Sequence, residues 1–359
     1  FLYTRTQQSF DQNLAQARSE GIQGVLSYYL AHQPGPHRQQ ARQYYQQEFF
    51  LNSRLLELLR RTVAALQQRQ ISVLLLKGVA LIGPIYAPLG VRPLSDIDIL
   101  IAPAHHQQAH HCLLEIGYTH ETGLNYHWQG LPLDLHVDLN SAYRIRARAD
   151  LYRLSLEPMW STATPRADIP GAYCLANEDQ FLYLACHALK HAHNRLIWLL
   201  DLAELFPHCD PRRLDQRARA TSTTRPLAYA LNLLKELWYP QLVAPACNWI
   251  EKLYLQKVAR RQNLEPLLPF FMAATLDSWP LRMSYLWEML LPRTEVLEQM
   301  YPGQSGWRLY RSRLVSLAKR LPAIYSGIGG PKRSATRTSR SSANSGATFS
   351  PSAIRRIER

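Results

Sequence analysis

The stretch Ser95-Asp96-Ile97-Asp98-Ile99-Leu100-Ile101 decides how this chain is read, because it sets two carboxylates two residues apart inside an apolar run. Burying charge without a partner is costly, so such a pair asks for a cation. Read as a strand, the run puts Asp96 and Asp98 side by side on one face, about 6.6 Å apart. Ile97 and Ile99 then pack against helices on the other face. Like charges at that separation repel by roughly 2–3 kcal/mol at an effective dielectric of about 20. Mg²⁺, with Mn²⁺ as the alternative ion, reverses that sign and keeps positions open for water and substrate phosphate.

Before this stretch, the continuous apolar run over 72–76 predicts a central strand. Lys77-Gly78 follows it, and residues 79–86 can form a short helix. Glycine there would let backbone N–H groups approach a phosphate, and a helix N-terminus favours anions. Lys77 would add a point charge, and Arg92, in the loop marked by Pro88, Gly90 and Pro93, is a second candidate for phosphate contact. After the stretch, Pro103 fits the first turn of a helix over 104–116, and strands are expected at 118–122, 126–129 and 133–139. Asp134, His136 and Asp138 share one face of the last strand. One of them would bring the third ligand of a two-metal arrangement for phosphoryl displacement, and strand register decides which.

The order strand, helix, strand, helix, strands predicts an α+β fold, with a small mixed sheet and helices on one face of it. Helices are expected over 5–32 and 38–70, the second burying Tyr45, Phe49, Leu56, Leu59, Val63 and Leu66. Beyond residue 151 the chain reads as mostly helical, with helices at 177–192, 195–206, 211–220, 226–238, 247–258 and 306–320. Asn177 is the expected cap of the first, with Asp179 in its first turn. The resulting division is N-terminal helices over 1–70, a core over 71–150, a helical part over 151–326 and a basic tail over 327–359. The tail is too poor in large apolar residues to offset its entropy and reads as disordered.

The run Leu74-Leu75-Leu76-Lys77-Gly78-Val79-Ala80-Leu81, followed by Tyr86, Arg92 and the Asp96-Ile97-Asp98 pair, resembles the DNA polymerase β-like nucleotidyltransferase superfamily. Within it, the chain is similar to the bacterial family of uncharacterised nucleotidyltransferases. Gly117-Tyr118, Asp134-Leu135-His136 and a helix carrying Glu178-Asp179, His187, Lys190-His191 and, further on, Leu200-Asp201 fit that family's pattern. The resemblance implies the polymerase β-like sheet and Mg²⁺-dependent transfer of a nucleoside monophosphate from a nucleoside triphosphate such as ATP. It implies metal ligation and catalysis by Asp96, Asp98 and Asp134 and a triphosphate held at the Gly78 turn; Lys77, Arg92 and Ser95 are the further nucleotide-contact candidates read from the residues themselves. The acceptor is left open among a small molecule, a carbohydrate, a protein and an RNA end. One departure stands out: the superfamily's Gly-Ser or Gly-Gly turn is Lys77-Gly78 here, with no serine hydroxyl for the phosphates. That departure motivates a rival reading, a catalytically altered nucleotide-binding regulatory or antitoxin-like protein.

Composition bounds these readings. The chain of 359 residues carries a net charge of +14, and seven Lys or Arg against one Glu between 331 and 359 place +6 of that in the tail. A mildly basic body suits a polyanionic ligand such as a nucleoside triphosphate. A nucleic-acid-binding module is the third reading, although basic residues interleaved with aromatics on strands are not evident. The five scattered cysteines contain no CxxC and fit a reducing, cytoplasmic setting. No membrane span or signal-peptide pattern shows. His105, His106, His110 and His111 read as a solvated helix face. His187, Lys190, His191 and His193 are expected either near the nucleotide or in packing, with Asp201 as an ion-pair partner.

Overall fold

A computed structural model describes residues 9–327 apart from 122, 141–151, 153, 155, 263, 265–267 and 277–278. The expected tail, from residue 328 on, lies outside the described residues. Three helices open the chain: α1 (Phe10–Glu20), α2 (Gln23–His32) and α3 (Arg38–Gln68). The sequence pattern runs α1 and α2 together, but Gly21 at φ 74° closes α1 with a left-handed cap. The sheet region contains β1 (Val73–Leu75), α4 (Lys77–Leu81), β2 (Ile97–Leu100), α5 (His106–Glu115), β3 (Thr119–His120), β4 (Asn125–Trp128) and β5 (Leu131–His136). After α6 (Leu156–Ser161), the strands β6 (Thr164–Pro165) and β7 (Ala172–Cys174) return to the sheet. Helices α7 (Asn177–Lys190), α8 (Leu196–Leu205), α9 (Pro211–Ala220), α10 (Thr224–Leu237) and α11 (Trp249–Ala259) follow. The described chain ends with α12 (Leu268–Ala274), α13 (Trp279–Leu290), α14 (Thr294–Met300) and α15 (Trp307–Gly327).

The fold is mixed α+β, with a seven-stranded sheet in the order β3-β4-β5-β2-β1-β7-β6. β1 runs antiparallel to β2 and parallel to β7, and β2 runs parallel to β5. Alternation along β1 and β2 sends side chains to two cores. Val73, Leu75, Ile97 and Ile99 join Leu59, Val63 and Leu66 of α3 and Ala109 and Leu113 of α5. Leu74 and Leu100 face the other way, among residues of α1, α2, α7 and α8. Helices therefore cover both faces, not one, which is why these two central strands read as unbroken apolar runs. β6 and β7 were not visible in the sequence, since strands of two and three residues carry no periodicity.

Two corrections bear on the site. Phe49, expected in the buried stripe of α3, is 47% exposed. The stripe instead buries Asn52, whose amide donates to the carbonyls of Leu89 and Arg92 at 2.5 and 2.8 Å and whose Oδ1 accepts from Leu94 N at 3.0 Å. One polar side chain thus clamps the loop that leads into Asp96. In addition, α7 is preceded by Ala176 as its capping residue, and Asn177 is its first helical residue. Asp179 is buried against Arg217, with contacts of 2.7 and 3.0 Å.

Candidate active site

Strand register resolves which residue of β5 meets the acidic pair. β2 and β5 align Ile97 with Leu133, Asp98 with Asp134, and Leu100 with His136. Asp134 thus lies beside Asp98, while Asp138 lies beyond the last residue of β5. Ligand atoms of Asp98, Asp134 and His136 all fall within 4.8 Å of one another. Asp98 is 2% exposed, and its Oδ1 lies 2.9 Å from His136 Nε2 and 2.5 Å from Lys77 Nζ. Asp96 sits one residue ahead of β2, is half-buried, and accepts a hydrogen bond from Ser95 Oγ at 2.7 Å. It is adjacent to the cluster of three and is not one of its members.

Lys77 reaches Asp98 because of an unusual backbone. The turn from β1 into α4 puts Lys77 at φ 50°, in the left-handed region that glycine adopts freely, and a side chain there costs about 1–2 kcal/mol. Leu76 N donates to Asp98 O at 3.1 Å, so the turn is also tied to β2 through its backbone. Burial alone would lower the Lys77 pKa, but the Asp98 carboxylate reverses this and raises it, so the ammonium stays charged. Burial would push the Asp98 carboxyl up, yet the Lys77 charge and the His136 hydrogen bond overcome it and hold the pKa at about 2. Asp96 and Asp134 both move up, first through burial and then through repulsion from Asp98, with Lys77 opposing. Three carboxylates thus share one lysine. The surplus negative charge and the oxygen-rich donor set fit a divalent cation.

The remaining expected contacts divide. Lys77 holds Asp98 within the cluster, and Ser95 holds the adjoining Asp96. Arg92 turns elsewhere: it is buried, donates to both Asp201 oxygens at 3.3 and 2.7 Å, and donates to the Pro93 carbonyl at 2.7 Å. Tyr86 OH donates to the same Asp201 at 3.0 Å. Asp201 therefore serves Arg92 and Tyr86. Gly78 has a packing reason to be glycine, since a Cβ would come within 2.5 Å of the Arg92 guanidinium and 2.7 Å of Leu94 Cδ2.

Beside the acidic group, a narrow cavity is lined by Lys77, His136, Asn140, Tyr183, His187 and Lys190, among others. His187 contacts the rings of His191 at 4.9 Å and Trp198 at 5.2 Å. Burial and then the Lys77 charge push its pKa well down, so the ring is neutral. Of His105, His106, His110 and His111, His110 has its Nδ1 2.8 Å from Tyr126 OH. His136 is the residue that sequence reasoning placed on the right face as one of three possible third ligands but left out of the expected ligand set. The period-two pattern marked it, but only the register paired it with Asp98.

A family model described as an uncharacterised nucleotidyltransferase matches residues 6–239. No curated protein and no solved structure matches the chain.

Proposed function

The chain belongs to that family of uncharacterised nucleotidyltransferases, and on this premise we propose that it moves a nucleoside monophosphate from a nucleoside triphosphate to a hydroxyl or phosphate acceptor. The observation that carries the reading is the β2–β5 register, which sets the half-buried Asp134 against the buried Asp98 in the same cluster as His136. Asp98 and Asp134, with Asp96 alongside, are the residues that would hold Mg²⁺ or Mn²⁺. A divalent ion there supplies Lewis-acid neutralisation of the triphosphate charge as it develops. In the reaction an acceptor oxygen bonds to the α-phosphorus, the bond from that phosphorus to the bridging oxygen breaks, and pyrophosphate leaves. Asp134, whose proton affinity burial and Asp98 raise, would take the acceptor proton. Lys77 offers its ammonium to the phosphates, Ser95 orients Asp96, and the Gly78 turn and Arg92 fix the wall from which Lys77 projects. In this reading residues 71–150 carry the chemistry, and the helices over 1–70 and 151–326 enclose it.

One observation favours a second reading. The Lys77 ammonium already rests on Asp98 Oδ1, so a cation must share or displace that contact. A protein that binds nucleotide without transferring it would tolerate this. The two readings separate in one experiment. Thermal unfolding is followed with each nucleoside triphosphate, with and without Mg²⁺, for wild type, Asp96→Asn and Asp134→Asn, and pyrophosphate release is assayed in parallel. Transfer predicts Mg²⁺-dependent stabilisation and pyrophosphate release by wild type, both lost in the variants. Stabilisation with no pyrophosphate for any acceptor selects the second reading, and full activity in Asp134→Asn removes that residue from the site.

A further inference from the structure

Charge and exposed apolar surface are both concentrated outside the family-matched part of the chain. Residues 240–359 contain 18 Lys or Arg and seven Asp or Glu, a net of +11, whereas residues 1–239 contain 23 and 20, a net of +3. Of the large apolar side chains exposed among the described residues, four lie at or before Leu114 and fourteen lie from Val243 onward. Soluble surfaces carry such residues singly, so a concentration of them marks a contact face.

The exposed residues are arranged as helical stripes. On α13, Trp279, Met283, Trp287 and Leu290 recur at four, four and three residues and so share one face, with Trp279 69% and Trp287 67% exposed. Tyr285 and the rest of the opposite side turn to the core. On α15, Trp307, Leu314 and Val315 form a second stripe, with Trp307 67% exposed, and the helix carries five Lys or Arg and no Asp or Glu. Arg313 Nε and Nη2 donate to the carbonyls of Leu290 and Met289, which joins the end of α13 to α15. No helix among the described residues is long and apolar enough to cross a membrane.

We infer that α13 and α15 form a docking face for an anionic lipid bilayer surface, lying in the headgroup region with their tryptophans inserted. Helices that expose Trp and Leu with Lys or Arg alongside bind at that interface, and anionic headgroups match the uncompensated Lys and Arg of α15, where Arg308 and Arg311 flank the stripe. A second copy of the chain is a poor occupant, because a two-fold contact over this face would press one basic α15 against another. Nucleic acid would satisfy the arginines but leave Met283, Leu290, Leu314 and Val315 in water.

The test is co-sedimentation of the full chain with vesicles of phosphatidylcholine alone or with about one-third phosphatidylglycerol, with tryptophan emission recorded on the same samples. Sedimentation with the anionic vesicles and a blue shift are expected, both weak with the neutral ones. Trp279→Ser/Trp287→Ser should weaken vesicle binding about tenfold or more with thermal unfolding unchanged, since both side chains are exposed. Should that variant fail to fold, Arg308→Glu/Arg311→Glu beside the α15 stripe, where the Arg311 guanidinium lies 5.6 Å from the Trp307 ring centroid, should produce a comparable loss. Absence of binding to anionic vesicles overturns the inference. So does binding that ignores both pairs of substitutions, or sedimentation velocity showing a wild-type dimer that the tryptophan variant dissociates.

Discussion

Lys77 stands where a glycine would be relaxed, and it holds a buried aspartate by an ammonium contact of 2.5 Å. Its backbone strain is offset by that ion pair, so the two residues are coupled. Asp98→Asn leaves a mostly buried ammonium without its partner and should destabilise the fold by about 3–5 kcal/mol, read from urea unfolding. Lys77→Gly relaxes the backbone but leaves Asp98 facing Asp134. Mg²⁺ should then raise the melting temperature more in Lys77→Gly than in wild type, and an equal or smaller rise would show that Lys77 does not compete for the site. His193 gives a pH prediction. It is buried with Nδ1 2.9 Å from Tyr254 OH, and burial followed by the Arg261 charge lowers its pKa to about 3. Between about 6.5 and about 3 the unfolded chain binds a proton that the folded chain refuses. His193 therefore contributes stability fully present above about pH 6.5 and lost as the pH falls, by about 1.4 kcal/mol per pH unit. In His193→Gln that component should be missing, so unfolding free energy measured from pH 7 to 5 should fall less steeply than in wild type.

Elements are locked together around the site by buried polar contacts rather than by apolar packing alone. Arg92 from the loop before β2 and Tyr86 from the loop after α4 converge on Asp201 of α8. All three are buried, so removing one member leaves an uncompensated charge or donor. Asp201→Asn should cost about 3–5 kcal/mol. Arg92→Met/Asp201→Leu, which removes both charges, should recover much of that loss, and additive losses in this cycle would mean the pair is not coupled. These partners were not legible in the sequence. Tyr86 and Asp201 stand 115 positions apart, and no local pattern relates them. The alternation over β5 was legible, because a period of two needs only neighbouring residues, and it put Asp134 and His136 on one face in advance.

At the scale of the whole molecule, the two cores on either side of the sheet tie distant parts of the chain into one body. The larger core runs from Phe10 to Tyr285 and includes residues of α1, α2, α7, α8, α10 and α11. Glu20 at the end of α1 takes the backbone N–H of Leu196 at 2.9 Å and the guanidinium of Arg261. Arg261 also donates to the carbonyls of His193 and Asn194. The protein should therefore melt in a single calorimetric transition, and Glu20→Ala should lower that transition rather than split it. Two separate transitions in wild type would mean that the cores unfold independently.

The sequence by itself determined the α+β class, the central strands, the acidic pair and the family to which the chain belongs, because each is written in residues close together along the chain. Tertiary structure alone decided that helices cover both faces of the sheet and that β7 completes it beside β1. It also decided that Lys77 rests on Asp98, that His136 enters the acidic group, and that Arg92 turns away to Asp201. Each of these depends on register or on contacts between residues far apart in the chain, where the free energy comes from burial and charge pairing that no local pattern encodes. The Asp96-Ile97-Asp98 stretch was readable as an acidic pair, and the fold made Asp98 the buried centre and Asp96 its outer neighbour.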